Sequence, residues 1–171
     1  HAFWLTVVFA FVSSILINVL AFSIALALTK GFKGTNVFRT VFFMPNLIGG
    51  IVLGYIWQLI INGVLAFFKT TLTVKASYGF WGMVIAMNWQ MIGYMMVIYI
   101  AAIQNISEDV KEAALIDGVN RRQMVTKIIL PLIMPAITIC LFMTTTNAFK
   151  MFDLNLALTA GLPGKSTSLV A

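Results

Sequence analysis

This chain is expected to fold as an all-α polytopic membrane protein with four transmembrane helices, on three observations. Hydrophobic residues make up 61% of the 171 positions and charged ones only 9%, with a mean hydropathy of +1.00; a soluble domain carries about a quarter charged residues. Positions 1 to 29, 40 to 68, 76 to 107 and 128 to 149 contain no Asp, Glu, Lys or Arg, and each run supplies the roughly 20 residues a helix needs to cross about 30 Å of hydrocarbon. The runs are also continuously apolar, whereas barrel strands alternate every second residue over about ten positions, which argues against a β-barrel. The expected spans are 3–29, 40–65, 78–104 and 128–149, in a single domain over 1–171. A signal peptide does not fit the first run, which has no initiator Met, no basic leading region and too great a length. His1 is read as the start of a fragment.

The first span ends at Lys30-Gly31, where Gly suits a helix stop and Lys suits the C-terminal dipole. The second holds Pro45 and Asn46 near its start, followed by Gly49-Gly50-x-x-x-Gly54. Small residues four apart let another helix backbone approach closely; the alternative is that Gly is simply common in membrane helices. Asn88, Trp89, Gln90 and Tyr94 interrupt the third span. Uncompensated polar groups in hydrocarbon are costly, so these face a protein interior or a wet path. Gln90 and Tyr94, four apart, share one face. Two roles stay open for the group: a translocation path, or hydrogen bonding between helices. The fourth span opens with Pro131 and Pro135; the latter kinks the helix unless it lies in a first turn. Thr144-Thr145-Thr146-Asn147 follows, with Lys150 and Asp153 spaced to pair at the outer interface or to contact substrate.

Strict alternation of four spans puts loops 30–39 and 108–127 on one side. That side holds Lys30, Lys33, Arg39, Lys111, Arg121, Arg122 and Lys127, against Lys69, Lys75, Lys150 and Lys165 opposite. By the positive-inside rule the first side is cytoplasmic. The net charge of +6 flanks membrane segments and does not cluster with stacking aromatics, so anionic headgroups, not nucleic acid, are its expected partners. One cysteine, Cys140, and one histidine, His1, leave no basis for a disulfide framework, a metal site or a Ser-His relay.

The loop over 107–131 concentrates what charge there is: four of the five acidic residues, Glu108, Asp109, Glu112 and Asp117, lie in it. Ser107 is an N-cap candidate, with two acids in the first turn where the helix dipole favours them. A short helix over 108–116 follows, given a low-relief surface by Ala113 and Ala114. Gly118 permits the turn after it. Spacing alone supports either an exposed docking surface or a solvated loop.

Glu112-Ala113-Ala114, three residues, Gly118, nine residues, then Ile128-x-Leu130-Pro131 resembles the EAA motif of binding-protein-dependent ABC importer permeases. Asp117 and Pro135 are similar to the extended form in the MalF-like sugar-permease branch, as are Phe38-Arg39-Thr40-Val41-Phe42-Phe43-Met44-Pro45, Phe152-Asp153 and the stretch from Thr159 to Thr167. Val119 and Leu162 depart from the usual Ala and Gly. The resemblance implies four helices of a type I ABC importer domain whose core has six. It implies a coupling helix at Glu112, Ala113, Ala114, Asp117 and Gly118, with Arg121 and Arg122 behind it. Asn88, Trp89, Gln90, Tyr94 and Asn147 are the substrate-path candidates. The implied partners are a cytoplasmic ABC ATPase dimer, a second permease subunit, an extracytoplasmic solute-binding protein and the lipid membrane. ATP and Mg belong to the ATPase, with no cofactor in this chain. The implied location is the cytoplasmic membrane of a bacterium or archaeon. Carbohydrate is the preferred substrate class, and amino acid, polyamine or phosphate the alternative. A secondary transporter or a membrane scaffold competes more weakly, since no acid lies within the first three spans.

Overall fold

The computed structural model describes residues 2–29 and 34–160. The Lys30-Gly31 helix stop, Lys33, and the family-like residues from Gly161 to Thr167, with Lys165, lie outside them.

Among the described residues, two helices are long and apolar enough to cross a bilayer alone: α1 (Ala2–Leu28) and α4 (Ala76–Gln104). They run parallel, because Phe9 meets Phe80 edge-on at 6.1 Å and, further along both, Phe22 meets Tyr99 at 5.7 Å. First and third spans of an alternating chain must do this, so Thr29 and the start of the charged loop emerge at the same end.

The second apolar run is not the continuous helix expected over 40–65. It is a short helix, α2 (Thr35–Phe43), a 3-10 turn at Met44–Leu47 and then α3 (Gly50–Ala66), with a bend of 103°. Pro45 sits in the first turn of the 3-10 segment, where its missing N–H does least harm. Ile48 and Gly49 are extended, which frees backbone groups that must be satisfied elsewhere. The Gln90 side-chain amide on α4 donates to the freed Ile48 carbonyl at 3.1 Å.

The fourth run is likewise a bent pair, not one helix over 128–149. α6 (Arg121–Gln123), a π-helical segment Met124–Ile129 and α7 (Leu130–Leu132) form one piece, and α8 (Met134–Phe149) leaves it at 72°. The break falls at Ile133, and Pro135 lies in the first turn of α8, so the proline starts a new helix instead of kinking an old one. A seven-residue helix, α9 (Phe152–Leu158), follows.

Glycines decide two of the close packings. A Cβ on Gly54 would stand 2.5 Å from the Ala157 Cβ, and one on Gly50 would stand 3.4 Å from the Asp153 Cβ. The Gly-x-x-x-Gly stretch is therefore the seat of α9. At Gly93 on α4 an added Cβ would fall on the Phe42 carbonyl; here the backbone of α2 crosses α4. The apolar core lies along α1, α4 and α8 and includes Phe9, Ile17, Met83, Met87, Met95 and Cys140.

Candidate substrate cleft and coupling helix

The charged loop contains α5 (Glu108–Ile116), on the bounds expected from sequence. Ser107 occupies the N-cap position, but its hydroxyl caps nothing; Glu108 and Asp109 supply the favourable charge at the first turn. Lys111 pairs with Glu108 at 2.8 Å, the ion pair found among the described residues. Ala114 is buried, so of the two alanines expected to give the low-relief surface only Ala113 lies on it, with Glu112, Leu115 and Ile116 exposed beside it. Leu115 and Ile116, the latter at 85% exposure, are large apolar side chains that face outward on the same helix as the charged Glu108, Asp109, Lys111 and Glu112. Gly118 has φ +75, a conformation glycine adopts without strain. The next helix starts with a capping box: the Gln123 amide donates to Asn120 Oδ1 at 2.9 Å, and the Asn120 amide to Gln123 Oε1 at 3.0 Å. That box fixes the turn after Gly118 and leaves Arg121 and Arg122 exposed.

Among the described residues, a cleft of about 250 Å³ lies where the broken second run meets α4, α8 and α9. It is lined by Asn46, Gly50, Gln90, Met91, Asn147, Lys150, Met151, Asp153 and Leu154. Of the path candidates, Gln90 and Asn147 meet in this cleft. Asn147 is oriented by its side-chain bond to the Met143 carbonyl at 2.9 Å. Tyr94 is turned toward Phe43, with ring centroids 6.2 Å apart, and Asn88 and Trp89 lie on another face of α4. There they line an apolar depression with Trp57 and Trp81; Trp89 packs edge-on against Trp57 at 5.7 Å. Lys150 and Asp153 do not pair: α8 ends at one and α9 carries the other, and both border the cleft. Asn46 completes the polar lining. The sequence marked it only as a polar residue after Pro45; the folded chain brings it to the same cleft as Gln90.

Neutral amides from three separate elements, with one cation and one anion at the edge, offer donors and acceptors together. That combination suits a neutral ligand rich in hydroxyl groups.

Residues 17–169 match the family described as binding-protein-dependent transport system inner membrane component. The chain belongs to this family. The permease is 43% identical to the probable starch degradation products transport system permease AmyD of Thermoanaerobacterium thermosulfurigenes, over 98% of this chain and 62% of that protein. It is 32% identical to the trehalose/maltose transport system permease MalF of Thermococcus litoralis, over 100% of this chain and 61% of that protein. The permease thus spans about three fifths of the length of these relatives. A crystal structure of a bacterial alginate ABC transporter, in complex with an alginate pentasaccharide-bound periplasmic protein, superposes with TM-score 0.80 and 19% identity, over 98% of this chain and 62% of that chain. At that identity the likeness is one of fold: the described residues share the helical fold of an ABC transporter membrane domain.

Proposed function

We propose that the permease is the membrane-spanning subunit of an ATP-driven importer for an oligosaccharide. An extracytoplasmic binding protein delivers the sugar, and a separate ATPase binding ATP and Mg supplies the energy through α5. A second permease subunit completes the pathway, in the cytoplasmic membrane. Each bent helix pair acts as one span, so the chain crosses four times. The observation that carries the coupling role is the exposed EAA helix: Glu112, Ala113, Leu115 and Ile116 project from a short helix held between α4 and the bent piece that leads into α8. Asp117 and Gly118 shape its end, and Arg121 and Arg122 flank it. The permease contacts the ATPase and carries no hydrolytic chemistry of its own.

Sugar as the cargo rests on the names of the relatives and on the amide-lined cleft. Gln90 and Asn147 are the substrate contacts; Asn88, Trp89 and Tyr94 act in packing around the path. The test uses the full-length protein assembled with its partners in membrane vesicles. Glu112→Lys and Gly118→Asp are expected to abolish ATP-driven sugar uptake while the variants still insert in the membrane. Uptake that persisted in both would overturn the coupling role. A panel of labelled maltotriose, trehalose, glycerol phosphate and amino acids reports the cargo, and uptake of only the last two would overturn the sugar assignment.

A further inference from the structure

Asn18 on α1 is more than nine-tenths buried and stands between two other helices. Its Nδ2 donates to the Ser14 carbonyl of its own helix at 2.8 Å and to Thr144 Oγ1 on α8 at 3.1 Å. Its Oδ1 accepts the Tyr99 hydroxyl of α4 at 2.6 Å. Both N–H groups and the oxygen of the amide are thus used, so the group is fully satisfied. Thr144 gives its own proton to the Cys140 carbonyl at 2.8 Å, and the hydroxyls of Ser14 and Thr145 approach to 3.2 Å. Thr144 and Tyr99 are almost completely buried as well.

The helices so joined are the two that bracket the charged loop. α4 runs into it, with Tyr99 near the last turn; α8 emerges from it beyond Ile133. Both then carry cleft residues, Gln90 and Met91 on α4 and Asn147 on α8, with Lys150 just past the end of α8. Their remaining contacts are largely Met, Ile and Ala, and in a bilayer lipid chains compete for such faces nearly as well as a helix does. Apolar packing therefore leaves sliding cheap, whereas hydrogen bonds of fixed direction set a register.

We propose that Asn18 is a positioning residue of the transport cycle, clamping α4 to α8 so that a displacement of α5 reaches both walls of the cleft together. The inference rests on the coupling role of α5 and adds a residue outside the EAA segment and outside the cleft. Loss of the clamp lets ATP be spent without a matched movement of the two walls.

The test uses the full-length permease in its assembled transporter, reconstituted in vesicles, with uptake of labelled maltotriose and ATP hydrolysis read in parallel. Asn18→Leu, of similar volume and apolar, is expected to lower sugar carried per ATP hydrolysed by roughly five- to tenfold, the size of one or two lost interhelical bonds. Thr144→Val and Tyr99→Phe fall less in the same ratio, and Thr144→Ser, which keeps the hydroxyl, stays at the parent value. A ratio unchanged in Asn18→Leu and Thr144→Val overturns the clamp, as does a proportional loss of both activities. Spin labels at exposed positions 97 and 141, in a Cys140→Ser background that keeps a hydrogen-bonding group beside Tyr99, supply a readout that needs no sugar. Their separation is expected to keep one narrow distribution with and without nucleotide in the parent and to broaden in Asn18→Leu; equal distributions overturn the proposal. Should uptake in the parent prove independent of ATP, the coupling reading fails, whereas the label distances still decide the clamp.

Discussion

The EAA segment and the cleft are two polar regions in one apolar chain, and they are assembled in opposite ways. Glu112, Ala113, Ala114, Asp117 and Gly118 fall within a single helix and the turn that ends it. The cleft draws Asn46 from a 3-10 turn, Gln90 from α4, Asn147 from α8 and Asp153 from α9. A surface made by one helix needs only the right periodicity and a stop. A pocket made by four elements depends on every close contact that positions them. The first region should thus tolerate damage to packing, and the second should fail with it.

The sharpest way to break this contrast is at Gly93. Gly93→Val places side-chain atoms on the backbone of Phe42, an overlap no rotamer relieves, so α2 must leave α4. The full-length variant is expected to aggregate on extraction, read by gel filtration; a monodisperse, active Gly93→Val protein would sink the idea that this crossing holds the cleft. Gly54→Ala is milder. Its Cβ meets that of Ala157, and overpacking of this kind costs about 1–3 kcal/mol, seen as a lowered melting temperature with sugar affinity reduced as α9 shifts.

Asn147→Ala removes a polar lining group without crowding. It is expected to raise the half-saturating sugar concentration by up to roughly tenfold, the worth of one hydrogen bond, while ATP hydrolysis persists. A change confined to the maximal rate would place Asn147 outside the binding surface. The smallest effect belongs to the charged segment's own architecture. Asn120→Ala deletes the capping box at about 1 kcal/mol, detectable as faster amide hydrogen exchange over 121–123 with the global melting point unmoved. If the melting point fell as far as in Gly54→Ala, the segment would not be the locally built element described here.

Residues 108–116 were legible because their signals are local: acids in a first turn and a glycine placed where φ becomes positive. The glycines at 50 and 54 were legible as a close-approach surface but not as to what approaches, since α9 lies about a hundred residues further on. The bend at Ile48 was not read as a break, whereas Pro135 was read as a kink or a first-turn residue and proves to be the latter. Hydropathy sees an unbroken apolar run on either side of Ile48 and Ile133, while the helix ends depend on where each freed carbonyl finds a donor, as Ile48 finds Gln90. The pairing suggested for Lys150 and Asp153 counted them on one helix; the end of α8 at Lys150 separates them and leaves both at the cleft. Polarity left Asn88 and Trp89 open between a path and interhelical contact; in the fold they line a different depression from Gln90.

Sequence alone determined that the chain lies in a bilayer, that four of its five acidic residues sit in one loop, and that this loop forms a helix followed by a glycine turn. These follow from composition and from interactions within a few residues. Tertiary structure alone decided which polar groups meet. Asn18 finds Tyr99 and Thr144, and Gln90 finds Asn147 across a cleft, because in a membrane the direction a helix face turns is set by its neighbours and not by its own hydrophobicity.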